Sequence, residues 1–257
     1  MNEVGLPVFV INMARDVERR RYMTGVLDRL GLRAEFVTAV DGRQLSEAER
    51  ALYDRRRALR TYGVEMMPSE IGCYLSHHRL YERMVRDGIE AALILEDDVR
   101  IEPTLPAVVR DLLASPFTAW LVVRLDCKRR HVADPAHDKL RGRRVAELSG
   151  GAGLYRLQTH VLGVGAYLIR REGAERMIAY GRRVFMPIDH TMDRFWENGI
   201  VPYVVRPFPV SQGDDFGTHS AGRTTDRRQG QPWPARARRR LQRLRDGVAK
   251  RAFNLTH

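Results

Sequence analysis

The chain has 257 residues, 44% of them hydrophobic, and a formal charge of +12 with a pI near 10.3. That length can bury one substantial core, so one α/β domain plus a tail is expected, and no apolar run approaches the roughly 20 residues of a membrane span. The basic balance points to an anionic partner: nucleic acid, an anionic membrane or a phosphorylated substrate.

Strand and helix signals alternate from the start, which predicts βα units around a mostly parallel central sheet flanked by helices. Residues 7–11 form a short apolar strand. Asp16 can cap a following helix whose Val17, Met23, Val26, Leu27 and Leu30 recur at helical spacing, with Gly31 as its stop. Residues 34–40 read as a second strand closed by Asp41-Gly42, 46–59 as a charged helix, and 69–86 as a helix that Gly88 ends. An apolar strand at 91–95 follows, then a helix at 104–114 and a strand at 119–125. Residues 128–153 are polar, rich in Arg and Gly, and read as a loop over the cleft. A strand at 164–169, helices at 172–180 and 188–197, and a strand at 202–205 complete the pattern. The domain is expected to span 1–222, with a linker at 223–235 and a basic tail at 236–257. The start Met1-Asn2-Glu3-Val4-Gly5 lacks the charged beginning and apolar core of a signal peptide, so a cytoplasmic location is expected.

The most informative stretch is Leu93-Ile94-Leu95-Glu96-Asp97-Asp98. An uninterrupted apolar strand is buried on both faces, and ligands of open α/β sheets bind beyond the carboxyl ends of the strands. Three carboxylates there repel one another unless a cation neutralises them, and their hard oxygens suit Mg²⁺ or Mn²⁺, which in turn can hold a diphosphate. The alternative is a solvated acidic turn.

Four further segments can carry chemistry. The first strand delivers Asn12 and Arg15 to the same sheet edge, where Arg15 can pair with a diphosphate. Within 70–78, Cys73 and His77 share a helix face and Gly72 admits a close backbone or ligand, but no second Cys/His pair completes a zinc site, so zinc is not expected. Ser76 and His77 either hydrogen-bond a substrate or the acidic cluster, or His77 is a packing histidine. Pro187 opens a helix whose first turn holds Asp189, a general-base candidate or simply a helix-start residue. In the polar loop 211–220, His219 either completes a metal shell with the acidic cluster or belongs to a surface loop.

Together these segments resemble glycosyltransferase family 25, the lipooligosaccharide-type galactosyltransferases that include the collagen galactosyltransferases. The resemblance rests on Val8-Phe9-Val10-Ile11-Asn12 with Arg15 and Arg19-Arg20, Glu70-Ile71-Gly72-Cys73 with Leu75-Ser76-His77, Leu93 to Val99, Gly165-Ala166-Tyr167-Leu168-Ile169, and Pro187-Ile188-Asp189, in the family's order over about the first 210 residues. It implies a GT-A-like nucleotide-sugar domain, a divalent metal, and inverting transfer from a UDP-sugar, commonly UDP-galactose, to a saccharide or lipid-linked saccharide. On that reading Glu96 and Asp98 bind Mn²⁺ (or Mg²⁺) with His219 as a further ligand. Asn12, Arg15, Ser76, His77 and Asp97 serve the donor, Asp97 facing ribose, sugar or else a structural partner, and Asp189 is the base, or binds the donor sugar or acceptor. The charged run Asp126-Cys127-Lys128-Arg129-Arg130 departs from the family's usual stretch.

In the tail, Ala237, Leu241, Leu244, Val248 and Ala252 recur every three or four positions among Arg236, Arg238, Arg239, Arg240, Arg243, Arg245, Lys250 and Arg251. That pattern suits a helix on an anionic membrane surface, or a solvated basic tail. Nucleic acid is not the expected partner, because aromatics do not interleave with the basic cluster. A metal-dependent nucleotide-sugar phosphohydrolase is the remaining alternative.

Overall fold

The computed structural model describes residues 4–127, 140–213 and 233–256. In chain order they form β1 (Val8–Asn12), α1 (Val17–Arg29), β2 (Ala34–Thr38), α2 (Glu47–Ala51), α3 (Arg55–Thr61), α4 (Pro68–Arg86), β3 (Ala91–Glu96), β4 (Val99–Ile101), α5 (Leu105–Ala114) and β5 (Val122–Arg124). Then come β6 (Gly142–Glu147), a 3₁₀ turn at Ser149–Gly151, β7 (Gly153–Leu157), β8 (Ala166–Arg170), α6 (Arg171–Tyr180), α7 (Ile188–Met192), α8 (Phe195–Asn198), β9 (Tyr203–Arg206), β10 (Val210–Gln212) and α9 (Trp233–Thr256).

The central sheet has eight strands in the order β2-β1-β3-β8-β5-β9-β7-β6. β2, β1, β3, β5, β9 and β6 run one way, and β8 and β7 are reversed. Alternate residues of the same strands enter two different cores, as a pleat buried on both faces requires. Phe9, Ile11, Ala92, Ile94, Tyr167 and Ile169 pack beneath α4 and α6 with Tyr74, Leu80, Met84, Ala174 and Met177. Val8, Val10, Leu93, Leu95, Ala166 and Leu168 pack against Met23 and Leu27 of α1 and Val108, Val109 and Leu112 of α5. The fold is therefore an α/β sheet covered by helices on both sides.

Helices α1 and α4 stop at glycines for the same reason. Gly31 and Gly88 hold φ of +65° and +66°, which lets Leu32 N–H reach Leu27 O (2.9 Å) and Ile89 N–H reach Met84 O (2.9 Å), closing the last turn with a left-handed residue. Asp16 precedes α1 as expected, but its side chain makes no capping hydrogen bond.

Three expectations need correction. The helix expected over 46–59 is two helices, because Asp54 N–H donates to Val184 O and Val184 N–H to Leu52 O, tying the chain at Tyr53 to a distant segment; the Asp54 carboxylate then caps α3 at Arg57 N (2.8 Å). The helix expected over 188–197 breaks at Asp193-Arg194 into α7 and α8. Within the loop expected over 128–153, residues 140–153 include strand β6, an edge strand whose Arg143 and Arg144 face solvent, while 128–139 lie outside the described residues. Charge on an edge strand guards against stray pairing and hides the strand from pattern reading.

Gly72 settles how α4 meets the sheet. A Cβ on it would stand 2.6 Å from Val40 O and 2.7 Å from Gly42 N, both backbone atoms. Ser76, one turn on, accepts from Val40 N–H (2.8 Å) and donates to Gly72 O (2.7 Å). Gly25 in α1 is the contrasting case, since its added Cβ would meet only the Arg29 guanidinium at 3.6 Å. Urea unfolding is expected to show Gly72→Ala losing about 1–3 kcal/mol through backbone overlap and Gly25→Ala gaining up to about 1 kcal/mol through helix propensity. Equal effects at the two sites would refute the close-approach account.

Candidate active site

The strand directions gather five segments at one edge of the sheet. β1 ends there at Asn12 and β3 at Glu96, since Ile11 pairs with Glu96. β5 arrives with Arg124, followed by Leu125 and Asp126, and the reversed β8 starts there at Ala166, so the preceding 159–165 loop lies on the same edge. α7 adds Asp189 through its bond to that loop.

The three consecutive carboxylates are neutralised differently. Asp97 is buried, accepting from Asn12 Nδ2 at 2.7 Å and from Arg19 Nη1 at 3.0 Å. It joins β1, α1 and β3 as a latch, so the structure turns Asn12 and Asp97 toward each other. Arg19 reaches Asp98 Oδ2 only at 3.8 Å. Asp98 Oδ1 is buried with no hydrogen-bond partner among the described residues, while its main-chain oxygen accepts from Gly213 N–H at 2.8 Å. Glu96 turns one oxygen toward α4, 3.5 Å from Cys73 Sγ and 3.4 Å from His77 Nε2. His77 is fully buried with Nδ1 on the Tyr167 hydroxyl at 2.7 Å.

Asp126 is the functional candidate that strand reading passed over. Its Oδ2 accepts from Gly165 N–H at 3.0 Å, the Gly165 carbonyl accepts from Glu96 N–H at 2.8 Å, and its Oδ1 is buried without a partner among the described residues. Burial, and the nearby Glu96 charge to a lesser degree, push its carboxyl up to about 7 against the pull of Arg124. Burial and then Glu96 likewise raise Asp98 to about 6. Asp126 is buried and Asp98 half-buried, and each carries a buried oxygen that meets no donor among the described residues while feeling the Glu96 charge; hard oxygens of this kind suit a divalent cation. The signal was available: Asp126 ends an apolar strand just as Glu96 does.

Beyond them, acidic residues shape the loop before β8. Asp193 Oδ2 accepts from Val161 N–H (3.0 Å) and Leu162 N–H (2.8 Å), and Arg124 bonds the Gly163 carbonyl while lying 3.4 Å from Asp193 Oδ1. Leu162 consequently sits at φ +58°, a conformation few branched residues adopt without such fixing. Asp189 accepts from His190 N–H (2.8 Å) and Gly163 N–H (3.3 Å) and is 8% exposed. Arg15 stands at the rim, half-exposed and paired with Asp41. Ser76 is occupied with the Val40 backbone, as described above. His219 lies outside the described residues.

A family model described as glycosyltransferase family 25 (LPS biosynthesis protein) matches residues 6–192. The chain belongs to glycosyltransferase family 25. The matched span encloses the sheet edge from Asn12 to Asp189 and leaves α9 outside. A glycosyltransferase 25 family member of Aedes aegypti is 37% identical over 137 residues, 48% of this chain and 21% of the relative. Procollagen galactosyltransferase 1 of Danio rerio is 25% identical over 219 residues, 79% of this chain and 33% of the relative. The inactive glycosyltransferase 25 family member 3 of Homo sapiens is 27% identical over 261 residues, 88% of this chain and 39% of the relative. The chain spans less than half the length of these relatives. Because family 25 includes relatives named for activity and for its loss, the site chemistry carries the functional argument.

The Asp126 environment yields a pH signature. A carboxyl raised from 3.8 to about 7 on folding binds its proton more tightly in the folded state. Its charge therefore costs nothing below pH 3.8 and destabilises progressively as pH rises toward 7. Asp126→Asn keeps an oxygen for Gly165 N–H and removes the charge. In metal-free protein its thermal midpoint is expected to exceed the parent's at pH 8, by a stability difference on the order of 1–4 kcal/mol, with the gap shrinking toward pH 5. A gap constant across that range would exclude a buried charge at Asp126.

Proposed function

We propose that this family 25 chain is an inverting glycosyltransferase that moves a hexose, galactose first among candidates, from a UDP-sugar to a saccharide acceptor. The observation that carries the reading is that Asp98 and Asp126, each in the field of Glu96 at the carboxyl-end edge of the sheet, carry a buried oxygen with no donor among the described residues. These residues would hold Mn²⁺ or Mg²⁺. Bound there, the ion would neutralise charge developing on the departing nucleotide diphosphate. Arg15, exposed at the rim and paired there with the Asp41 side chain, would turn to the diphosphate as a bidentate partner. The Asp97 latch keeps Glu96 and Asp98 at fixed separation without itself meeting the donor.

Asp189 would take the acceptor hydroxyl's proton. A second reading is favoured by its two backbone partners, His190 N–H and Gly163 N–H: Asp189 as a positioning residue for the Gly163 loop. Binding of UDP with Mn²⁺, followed by calorimetry, is expected to fall at least tenfold in Asp98→Asn and to persist in Asp189→Asn, which loses sugar transfer. Parent-like UDP affinity in Asp98→Asn refutes the cation site. Near-parent transfer by Asp189→Asn refutes the base assignment, and weakened UDP binding in that variant assigns it to loop positioning.

The acceptor is proposed to be lipid-linked, and α9 to rest on an anionic membrane at the cytoplasmic face. Leu241, Leu244, Val248 and Leu255 are 59%, 62%, 67% and 88% exposed, forming a stripe flanked by the exposed Arg240, Arg243, Arg245 and Arg251. The opposite side of α9 is docked on the domain: Asp246 accepts from both terminal nitrogens of Arg194 (2.8 and 2.9 Å) and Phe253 packs edge-on to Phe195. Among the described residues no helix is long and apolar enough to cross a membrane, so the contact would be interfacial. Leu244→Glu with Val248→Glu is expected to abolish sedimentation with phosphatidylglycerol vesicles while leaving the thermal midpoint within about 2 °C. Undiminished sedimentation of the double variant would refute docking through this stripe.

A further inference from the structure

We propose that Cys73, His77 and Glu96 form a site for a thiophilic divalent cation of the Zn²⁺ class. Spacing argued against zinc because no second Cys/His pair is present; the third ligand comes instead from the end of β3. Sγ of Cys73, Nε2 of His77 and a Glu96 oxygen all lie within 4.8 Å of one another, with 3.5 Å from sulfur to oxygen and 3.4 Å from nitrogen to oxygen. Zinc bonds of about 2.3 Å to sulfur and about 2.0–2.2 Å to nitrogen and oxygen in a tetrahedron put neighbouring ligand atoms about 3.3–3.6 Å apart. The measured sulfur–oxygen and nitrogen–oxygen separations match.

The surroundings suit a metal-binding imidazole. Nδ1 of His77 meets the Tyr167 hydroxyl at 2.7 Å, and that hydroxyl meets Tyr81's at 2.8 Å. A bound ion would take Nε2 while Nδ1–H donates to the Tyr167 hydroxyl, an outer partner of the kind metal-bound histidines keep. Cys73 and Glu96 are partly exposed while His77 is fully buried. A three-ligand site with an accessible side leaves a fourth position for water or a substrate oxygen. On binding, the Cys73 thiol gives up its proton to solvent, so that a thiolate meets the ion.

Glu96 is common to this set and to the Asp98–Asp126 set. A thiophilic ion that takes the Glu96 carboxylate therefore withdraws it from the hard-cation site, making Zn²⁺ an antagonist of Mn²⁺-supported UDP binding. That consequence rests on the proposed transferase reading; the site itself does not.

Titrating the metal-free full chain with Co²⁺ tests the site directly. One equivalent is expected to give a thiolate-to-cobalt charge-transfer band, bleached by one equivalent of Zn²⁺. Cys73→Ser should remove the band, Glu96→Gln should weaken Co²⁺ affinity at least tenfold, and Asp98→Asn should leave the band intact. No band, a band surviving in Cys73→Ser, parent-like Co²⁺ affinity in Glu96→Gln, or loss of the band in Asp98→Asn each overturns the proposal. UDP binding with Mn²⁺, measured without zinc or cobalt, separates the two readings. UDP binding without a cobalt band sinks the thiophilic site alone, and a cobalt band without UDP binding sinks the transferase alone.

Discussion

The crowding of carboxylates at one edge of the sheet is the constraint on which the rest of this structure depends. Glu96, Asp97 and Asp98 leave β3, Asp126 follows β5, and only β8 separates the two strands. Like charges gathered in a partly desolvated cleft oppose folding unless each finds a donor or a cation. The chain spends its buried arginines unevenly on this problem. Arg19 serves Asp97, and Arg124 serves Asp193 and the Gly163 carbonyl. Asp98 and Asp126 are each left with an oxygen that no donor among the described residues reaches. One more arginine or an asparagine at this edge would relieve that cost, and the proposed cation would do the same for the oxygens of Asp98 and Asp126, both of which feel the Glu96 charge.

Holding this arrangement requires tight backbone packing around the cleft. Gly165 is the clearest case: its N–H donates to Asp126 and its carbonyl accepts from Glu96 N–H, so one residue spaces the two acidic strand ends. A Cβ there would stand 2.9 Å from Asp126 Oδ2 and from Val99 Cγ1. Gly72 does the same on α4, bringing the helix that carries Cys73 and His77 against the chain after β2. Behind both glycines, the two apolar layers fix the strands, so the side chains at the edge inherit rigid positions rather than relying on mobile loops.

The legible parts of this architecture were those set by local pattern. β1, β3 and β8 are buried on both faces and read as uninterrupted apolar runs, and Gly31 and Gly88 mark helix ends wherever they stand. The expected α/β sheet with helices on both sides follows from those elements. What escaped was set by distant partners. The break at Asp54 exists because Val184 bonds the chain there, and the break at Asp193 accompanies that carboxylate's bonds to Val161 and Leu162. Arg19 meets Asp97 across 78 positions of sequence, so its task had no local signature. Asp126 obeyed the same strand-end rule as Glu96, but its charged successors drew attention to the loop instead. Cys73 and His77 were seen as a pair, and only the fold could supply Glu96 as their third neighbour.

The segment that follows the acidic edge also links the cleft to the outer surface of the molecule. Asp189 and Asp193 hold the 161–163 loop, and the next residue, Arg194, clamps Asp246 of α9 through both terminal nitrogens while also bonding Glu197. Buried partners of this kind hold a fixed geometry because separating them strands a desolvated guanidinium, whose loss of partners costs far more than an exposed ion pair gains. The exposed leucine and valine stripe lies on the other side of the same helix. Its orientation relative to the sheet edge is therefore set by Arg194–Asp246 and Phe195–Phe253, not by a flexible tether. Any surface that binds the stripe meets the domain at one attitude, set by the segment in which Asp193 holds the 161–163 loop and Arg194 holds α9.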